Sequence, residues 1–527
     1  VPTRRKAWPV LTGAGLLAGT TAAAIGALSL AAALTATGLP DPGPVTTYGL
    51  PFVRAAGEVA AVIAVGSFLF AAFLVPPQQN GVLDAAGYRS LRVGTVASGV
   101  WTVCAALLVP LTISDVSGHP LLNHLNPVAI WSAADIVSTA GAWRWTAFLA
   151  ALVTIASLPV LRWSWTPFLF AGSLATLVPL GLSGHSSAGG NHDLATNSLL
   201  IHLFAGALWA GGLLVLLTHA LRGGGHADLA ARRFSWLAGW CFVAMAVSGV
   251  VNALVRIHLD ELIGTTYGRL VLAKAFALCA LGVVGWRQRR VSLPALHRDP
   301  TARRPLIRFA LIEAVIFGAT FGIAVGLGRT PPPPRVVYPS ITEVEIGYNL
   351  AGPPTLARVL FDWRFDLVFG TAAIVMALVY LAGVRRLHRR GDAWPKGRTF
   401  AWLCGCGVLL VATSSGIGRY MPVMFSMHMV AHMLLSMLTP ILLTLGGPVT
   451  LALRALPAAA GNEPAGPREW ILIALHSKLS RFLTHPIVAT VLFVAGVYAL
   501  YLGGIFDAYA GNHAAHLLMD VHFLLSG

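Results

Sequence analysis

Two histidines and six methionines lie within seventeen residues of an otherwise aliphatic stretch, MPVMFSMHMVAHMLLSM, from Met421 to Met437. Imidazole and thioether are borderline to soft donors that suit copper, Cu(I) above all, whereas hard ions prefer oxygen. At about 100° per residue, Met424, His428 and His432 fall on one helical stripe at successive i, i+4 positions. Pro422 fits the first turn of such a helix, where its missing N–H costs nothing, and the residues up to Leu445 are apolar enough to cross a bilayer. Methionine is also a common gap-filler in apolar cores, and Met429, Met433 and Met437 form a second stripe that can simply pack. Ionisable residues inside a membrane span are nevertheless expensive and mark function by default.

A helix that buries such a stripe needs neighbours, and composition says what kind. The chain has 527 residues, 56% of them hydrophobic and 11% charged, with a mean hydropathy of +0.73. No soluble domain hides that much apolar surface, so the expected fold class is all-α, a polytopic transmembrane helix bundle. A formal charge of +16 would suggest nucleic acid in a soluble protein. Here the charge lies in short clusters between apolar runs, where the positive-inside rule accounts for it, so no nucleic acid is expected. Apolar runs of roughly twenty residues number about 14 spans. They fall near 10–37, 52–75, 93–113, 143–161, 165–182, 196–221, 234–255, 269–286, 308–328, 365–384, 399–415, 423–445, 486–503 and 513 onward. Basic clusters from Arg4, Arg5 and Lys6 to Arg385–Arg398 occupy alternate loops, which puts the N-terminus in the cytoplasm.

The stretch Arg329 to Pro354, with Pro331 to Pro334 in a row, cannot span and reads as a stiff connector. It divides the chain into two bundles: 1–328 with about nine spans, a proline-rich extracytoplasmic linker at 329–355, and 356–527 with about five. The last run meets no stop signal, so a C-terminal part is expected to be missing. Gly318, Gly322 and Gly326 form a small-residue ridge for close helix approach. Glu313, in the same span, is expected to pair at the basic cytoplasmic end, and Lys274 to snorkel. Cys404 and Cys406 point about 200° apart on a helix and read as packing residues.

With this orientation Met424, His428 and His432 occupy the outer half of their helix, and the last helix also starts outside. There His513, His516 and Asp520 share a face, with His522 turned away. Two half-sites at one depth can close a single site between helices, with Asp520 as an acceptor that orients an imidazole. A second constellation lies earlier. The loop SGHSSAGGNHD places His185 and His192 outside, where small residues between them let both rings converge on one metal ion, and the next span adds His202 near its outer end as a further candidate ligand. Loop histidines are usually solvated, and His119 and His124 are read that way.

Family resemblance sharpens both constellations. SGH, IHLFAGALWAGGLL with His202, TTYGRLVLAKAFAL with Lys274, and RFALIEAVIFG with Glu313 resemble the copper resistance protein D (CopD) membrane domain over roughly residues 50 to 328. SMHMVAHMLLSMLTPILLTLGGPV and HAAHLLMDVHFLLSG resemble the CtaG family of cytochrome c oxidase assembly factors from about residue 356 to the end. The resemblance implies a multi-pass protein of a bacterial plasma membrane that handles copper at its outer face. It also implies cytochrome c oxidase subunits or periplasmic copper chaperones as partners. Copper delivery to an oxidase is the leading reading; copper resistance or uptake without an oxidase role is its nearest alternative. A haem-binding redox protein is another, since histidines on neighbouring helices can ligate haem. A metal-free ion-coupled transporter would want mid-span carboxylates, and Glu58, Glu313, Asp366 and Asp520 all lie near helix ends. No set of nucleophile, base and oxyanion donors is visible, so no enzyme is expected.

Overall fold

The computed structural model describes residues 8–37, 40–124, 126–183, 191–330, 332–333, 340–459, 464–504, 506 and 513–527; the side chains of 29–37, 513 and 514 lie outside that description. Among the described residues there is no strand, only an isolated bridge between Val82 and Arg162. The all-α membrane bundle holds. Among the described residues, ten helices are long and apolar enough to cross a membrane, or up to eleven if a bent pair counts as one span.

The expected count of about 14 spans is not confirmed by length and composition, and two runs fall short for local reasons. The run at 165–182 breaks after Thr166–Ala175 and restarts as the single turn Val178–Gly181 around Pro179, as a proline without an amide requires. The run at 486–503 forms a 16-residue helix, Pro486–Tyr501, about 24 Å long against a hydrocarbon core of about 30 Å. The terminal helix is described from His513 to Ser526. The run at 143–161 instead begins at Ser138, where the Ser138–Ser157 helix turns 116° from Pro127–Ile136.

The chain divides into two units, residues 1–188 with 195–337, and residues 189–194 with 338–527. In the first, the helix Pro44–Leu69, continued by a π turn to Leu74, is the central element: 89% of its apolar window is buried. It crosses the helix His192–Leu221 at Gly66 and Gly211. A Cβ on Gly66 would fall 2.1 Å from the Gly211 carbonyl carbon, so the backbones touch and only glycine fits. The ridge of Gly318, Gly322 and Gly326 serves the same purpose against Leu17, Thr21 and Ile25 of the first helix, Trp8–Thr37. Ala227–Arg256 and Thr266–Arg298 bury little of their apolar surface and present Trp236, Trp240, Phe276 and Val283 outward, as lipid-facing helices do.

In the second unit, Phe369–Arg389, Lys396–Ser414, the Met–His helix Phe425–Met433 with its continuation to Leu445, Pro486–Tyr501 and the terminal helix surround one core. Phe369, Tyr380, Trp402, Leu409, Leu435, Met519 and Phe523 fill it. Tyr380 stacks on Trp402 at 4.9 Å and donates to the Gly446 carbonyl at 2.7 Å. That bond fixes the glycine turn which ends the Met–His continuation and lets Pro448 start the next helix. Cys406 is buried in this core, consistent with a packing residue.

Candidate functional site

The Met–His helix begins at Phe425, three residues later than Pro422 allows. Met424 is its N-cap, with extended backbone at φ −133° and ψ 113°, so the expected stripe starts at the helix boundary and not within the helix. Its carbonyl accepts the His428 amide at 2.9 Å. His428 and His432 do share a face. Their rings lie 3.9 Å apart between centroids, and they are 1% and 0% exposed.

Three other elements converge on this pair. Tyr501, last residue of Pro486–Tyr501, shares a 2.7 Å hydrogen bond between its hydroxyl and Nδ1 of His432. On the terminal helix, the His516 ring stands 5.5 Å from that of His428, and Oδ1 of Asp520 lies 3.3 Å from Nε2 of His432. His516 and Asp520 are 7% and 5% exposed. Aromatic rings seal the surroundings: Phe425 stacks parallel to His428, Phe506 lies 4.7 Å from it, and Phe523 lies 4.4 Å from His432. His522 turns away toward Gly496.

The polar groups inside this shell are not all satisfied. Neither ring nitrogen of His428 has a hydrogen-bond partner, and Nε2 of His432 and Oδ1 of Asp520 lack one with good geometry. An unpaired buried polar group costs about 1–3 kcal/mol, and in native proteins such groups usually mark a ligand or functional role. Among the described residues, no group of three or more His, Cys, Asp or Glu side chains stands ready to hold an ion. What is present is a pair of imidazoles with a carboxylate beside one of them. The His513 side chain, placed on the same face by sequence, lies outside the described residues.

The earlier constellation is not assembled in this way. His185 lies outside the described residues. His192 opens its helix and His202 follows ten residues later, about 15 Å along the axis, too far to share an ion. His202 bonds Ser248 through Nδ1 at 3.0 Å. His192 is 7% exposed, beside Gly347 of the second unit. His119 and His124 both bond Ser117. Glu313 is 2% exposed, and among the described ion pairs it has none, so the expected pairing at the basic end is not formed.

Outside the spans, Arg364 pairs with Asp193 at 2.5 Å and covers the Tyr348 ring, while Arg419 pairs with Asp362. Tyr348 donates its hydroxyl to the Arg419 carbonyl, and burial raises its phenol well above the usual range. Asp366 accepts the amides of Val368 and Phe369 at the start of Phe369–Arg389. Burial pushes its carboxyl up to about 6; the Phe369 amide opposes this, and the Asp520 carboxylate adds to it.

Fold and site together define a polytopic helical membrane protein with a buried imidazole pair in its C-terminal unit. The chain belongs to the copper resistance protein D family in its N-terminal part and to the cytochrome c oxidase caa3 assembly factor family in its C-terminal part. Residues 45–193 match the copper resistance protein D-like N-terminal domain, 228–327 match copper resistance protein D, and 378–527 match the caa3 assembly factor. The uncharacterized protein Mb0105 of Mycobacterium bovis is 33% identical over 508 residues, covering 96% of this chain and 74% of its own length. The uncharacterized protein ML1998 of Mycobacterium leprae is 32% identical over 519 residues, covering 98% and 76%. The inner membrane protein YebZ of Escherichia coli is 27% identical over 278 residues, covering 52% of this chain and 94% of its own length. No solved structure matches. The family matches give the chain a membrane, copper-related function. Residues 428, 432, 516 and 520 fall inside the caa3 assembly match, whereas His202 falls between the two copper resistance matches.

Proposed function

We propose that the C-terminal unit binds copper as cargo at His428 and His432 and passes it on for cytochrome c oxidase assembly. In this reading the N-terminal unit supports copper movement at the same membrane. The observation that carries the reading is the buried, unpartnered His428 ring packed 3.9 Å from that of His432 between centroids. Neutral imidazole is a ligand for copper without first losing a proton, so the pair needs no rearrangement of charge to accept a monovalent ion. Tyr501 holds His432 through Nδ1 and leaves Nε2 as the nitrogen that can ligate; Asp520 supplies a negative charge beside that nitrogen. His516, 5.5 Å from His428 between ring centroids, is the next imidazole along a transfer route. The rings of His428 and His432 lie too close for a planar macrocycle to stand between them, which favours a bare ion over haem. Cu(I) fits the apolar, methionine-rich surroundings better than Cu(II). Under this proposal the protein is a binding and transfer protein and not an enzyme, its N-terminus is cytoplasmic, and oxidase subunits or copper chaperones are its partners.

The test is anaerobic titration of Cu(I) into the purified full chain against a chelator, for wild type and for His428→Ala/His432→Ala. The expected result is loss of one tight site in the double variant. Unchanged stoichiometry and affinity would remove the proposal.

A further inference from the structure

Two arginines of the N-terminal unit meet without a counter-ion. Arg89 lies in the second turn of the helix Ala85–Ser117, and Arg222 follows directly on the end of His192–Leu221. Both side chains line one pocket, whose apolar wall is Phe70, Val93 and Val215. Burial, and then the Arg89 charge, press the Arg222 guanidinium below its usual range, as a like charge in a partly buried place must. Among the described residues neither arginine has an ion pair. The acids close to them in sequence are engaged: Asp84 caps Ala85–Ser117 by accepting the Gly87 amide at 2.6 Å, and Asp228 pairs with Arg232.

A fixed turn closes the other side of the pocket. Gly223, at φ +70°, starts a run of three glycines that turns the chain after Arg222. Arg303 donates to the Gly224 carbonyl at 2.8 Å, and His219 donates from Nε2 to the Gly225 carbonyl at 2.9 Å. A Cβ on Gly224 would fall 2.1 Å from the His219 ring, so the turn presses onto that buried imidazole and holds the backbone that carries Arg222. The pocket is small, about 20 Å³, the room of one water. It admits one oxygen of an anion and leaves the rest of that anion at the rim with the guanidiniums.

Guanidinium forks match phosphate oxygens, and basic pockets between membrane-spanning helices hold anionic headgroups. We propose that Arg89 and Arg222 bind one phosphate oxyanion at this pocket, carried by an anionic phospholipid headgroup or taken up as free phosphate. The bound anion offsets the repulsion between the two guanidiniums. The site lies in the other unit from the imidazole pair and does not rest on copper binding.

Two measurements on the purified full chain in detergent separate the sources. Native mass spectrometry compares retention of phosphatidylglycerol with that of phosphatidylcholine of the same acyl chains. Melting temperature is followed as inorganic phosphate replaces chloride at constant ionic strength. Preference for phosphatidylglycerol is the expected result for a headgroup, and a rise in melting temperature that for the free anion. In Arg89→Gln/Arg222→Gln the response is expected to weaken about 25-fold, about fivefold for each arginine. Arg385→Gln/Arg386→Gln removes the same charge from exposed positions of the other unit and is expected to leave it unchanged. Absence of both responses overturns the proposal, and so does a response that survives in Arg89→Gln/Arg222→Gln or falls equally in the control pair. If the double variant does not fold, Arg89→Gln alone, at an exposed position, is expected to show the fivefold loss, and an unchanged response there overturns it equally.

Discussion

His432 is held from two sides, by the Tyr501 hydroxyl at Nδ1 and by the Asp520 carboxylate near Nε2. Groups that orient a ligating imidazole commonly tune metal affinity by about 10–100-fold. Tyr501→Phe is therefore expected to weaken Cu(I) binding about tenfold, measured by chelator competition. It should also lower stability by about 1 kcal/mol, measured by thermal unfolding in detergent. An unchanged affinity would make Tyr501 a packing residue. The histidines were legible in the sequence because i, i+4 spacing puts two rings on one face whatever surrounds them. Tyr501 was not, because it ends an apolar run 69 residues away, where an aromatic is ordinary at a membrane interface. Met424 shows the limit of spacing alone: it stands at the helix N-cap, with extended backbone.

At the scale of elements, the crossing of Pro44–Leu69 with His192–Leu221 depends on two glycines. Gly66→Ala is expected to cost about 1–3 kcal/mol or more, because the atom it would strike is backbone. Gly49→Ala in the same helix meets nothing within 4 Å and is expected to be neutral or stabilising by about 0.5–1 kcal/mol. Melting temperatures of the two variants check both. Asp366 gives the start of Phe369–Arg389 a pH dependence. Its carboxyl is raised to about 6, so the fold holds the neutral form more tightly than the unfolded chain does. That stabilisation is complete below about pH 4 and is lost as pH rises through about 6. Asp366→Asn keeps an acceptor for the two amides and is expected to flatten this fall, seen by comparing melting temperature against pH for both proteins. Every apolar run in the sequence has a helix in the structure, since hydropathy records burial. Whether a run is one unbroken helix depends also on breaks such as Pro179, which hydropathy does not record.

For the whole molecule, charge distribution predicts a cytoplasmic N-terminus. Reporter fusions after residue 6 and after Gly391 are both expected to read as cytoplasmic, and an external reading at either would reverse the orientation. Two family domains in one chain were legible from local motifs, because each motif is a short stretch with its own chemistry. How copper passes through the chain is not written in such stretches, since it depends on side chains brought together from distant helices. A strain lacking the protein is expected to lose oxidase activity at limiting copper and regain it when copper is added. Copper sensitivity with normal oxidase activity would favour resistance over delivery.

Copper held by buried imidazole nitrogen is read most directly by X-ray absorption at the copper edge of the Cu(I)-loaded full chain. Imidazole scattering is expected in wild type and its loss in His428→Ala/His432→Ala. A spectrum of sulfur ligands alone, or one unchanged by the double substitution, would contradict it.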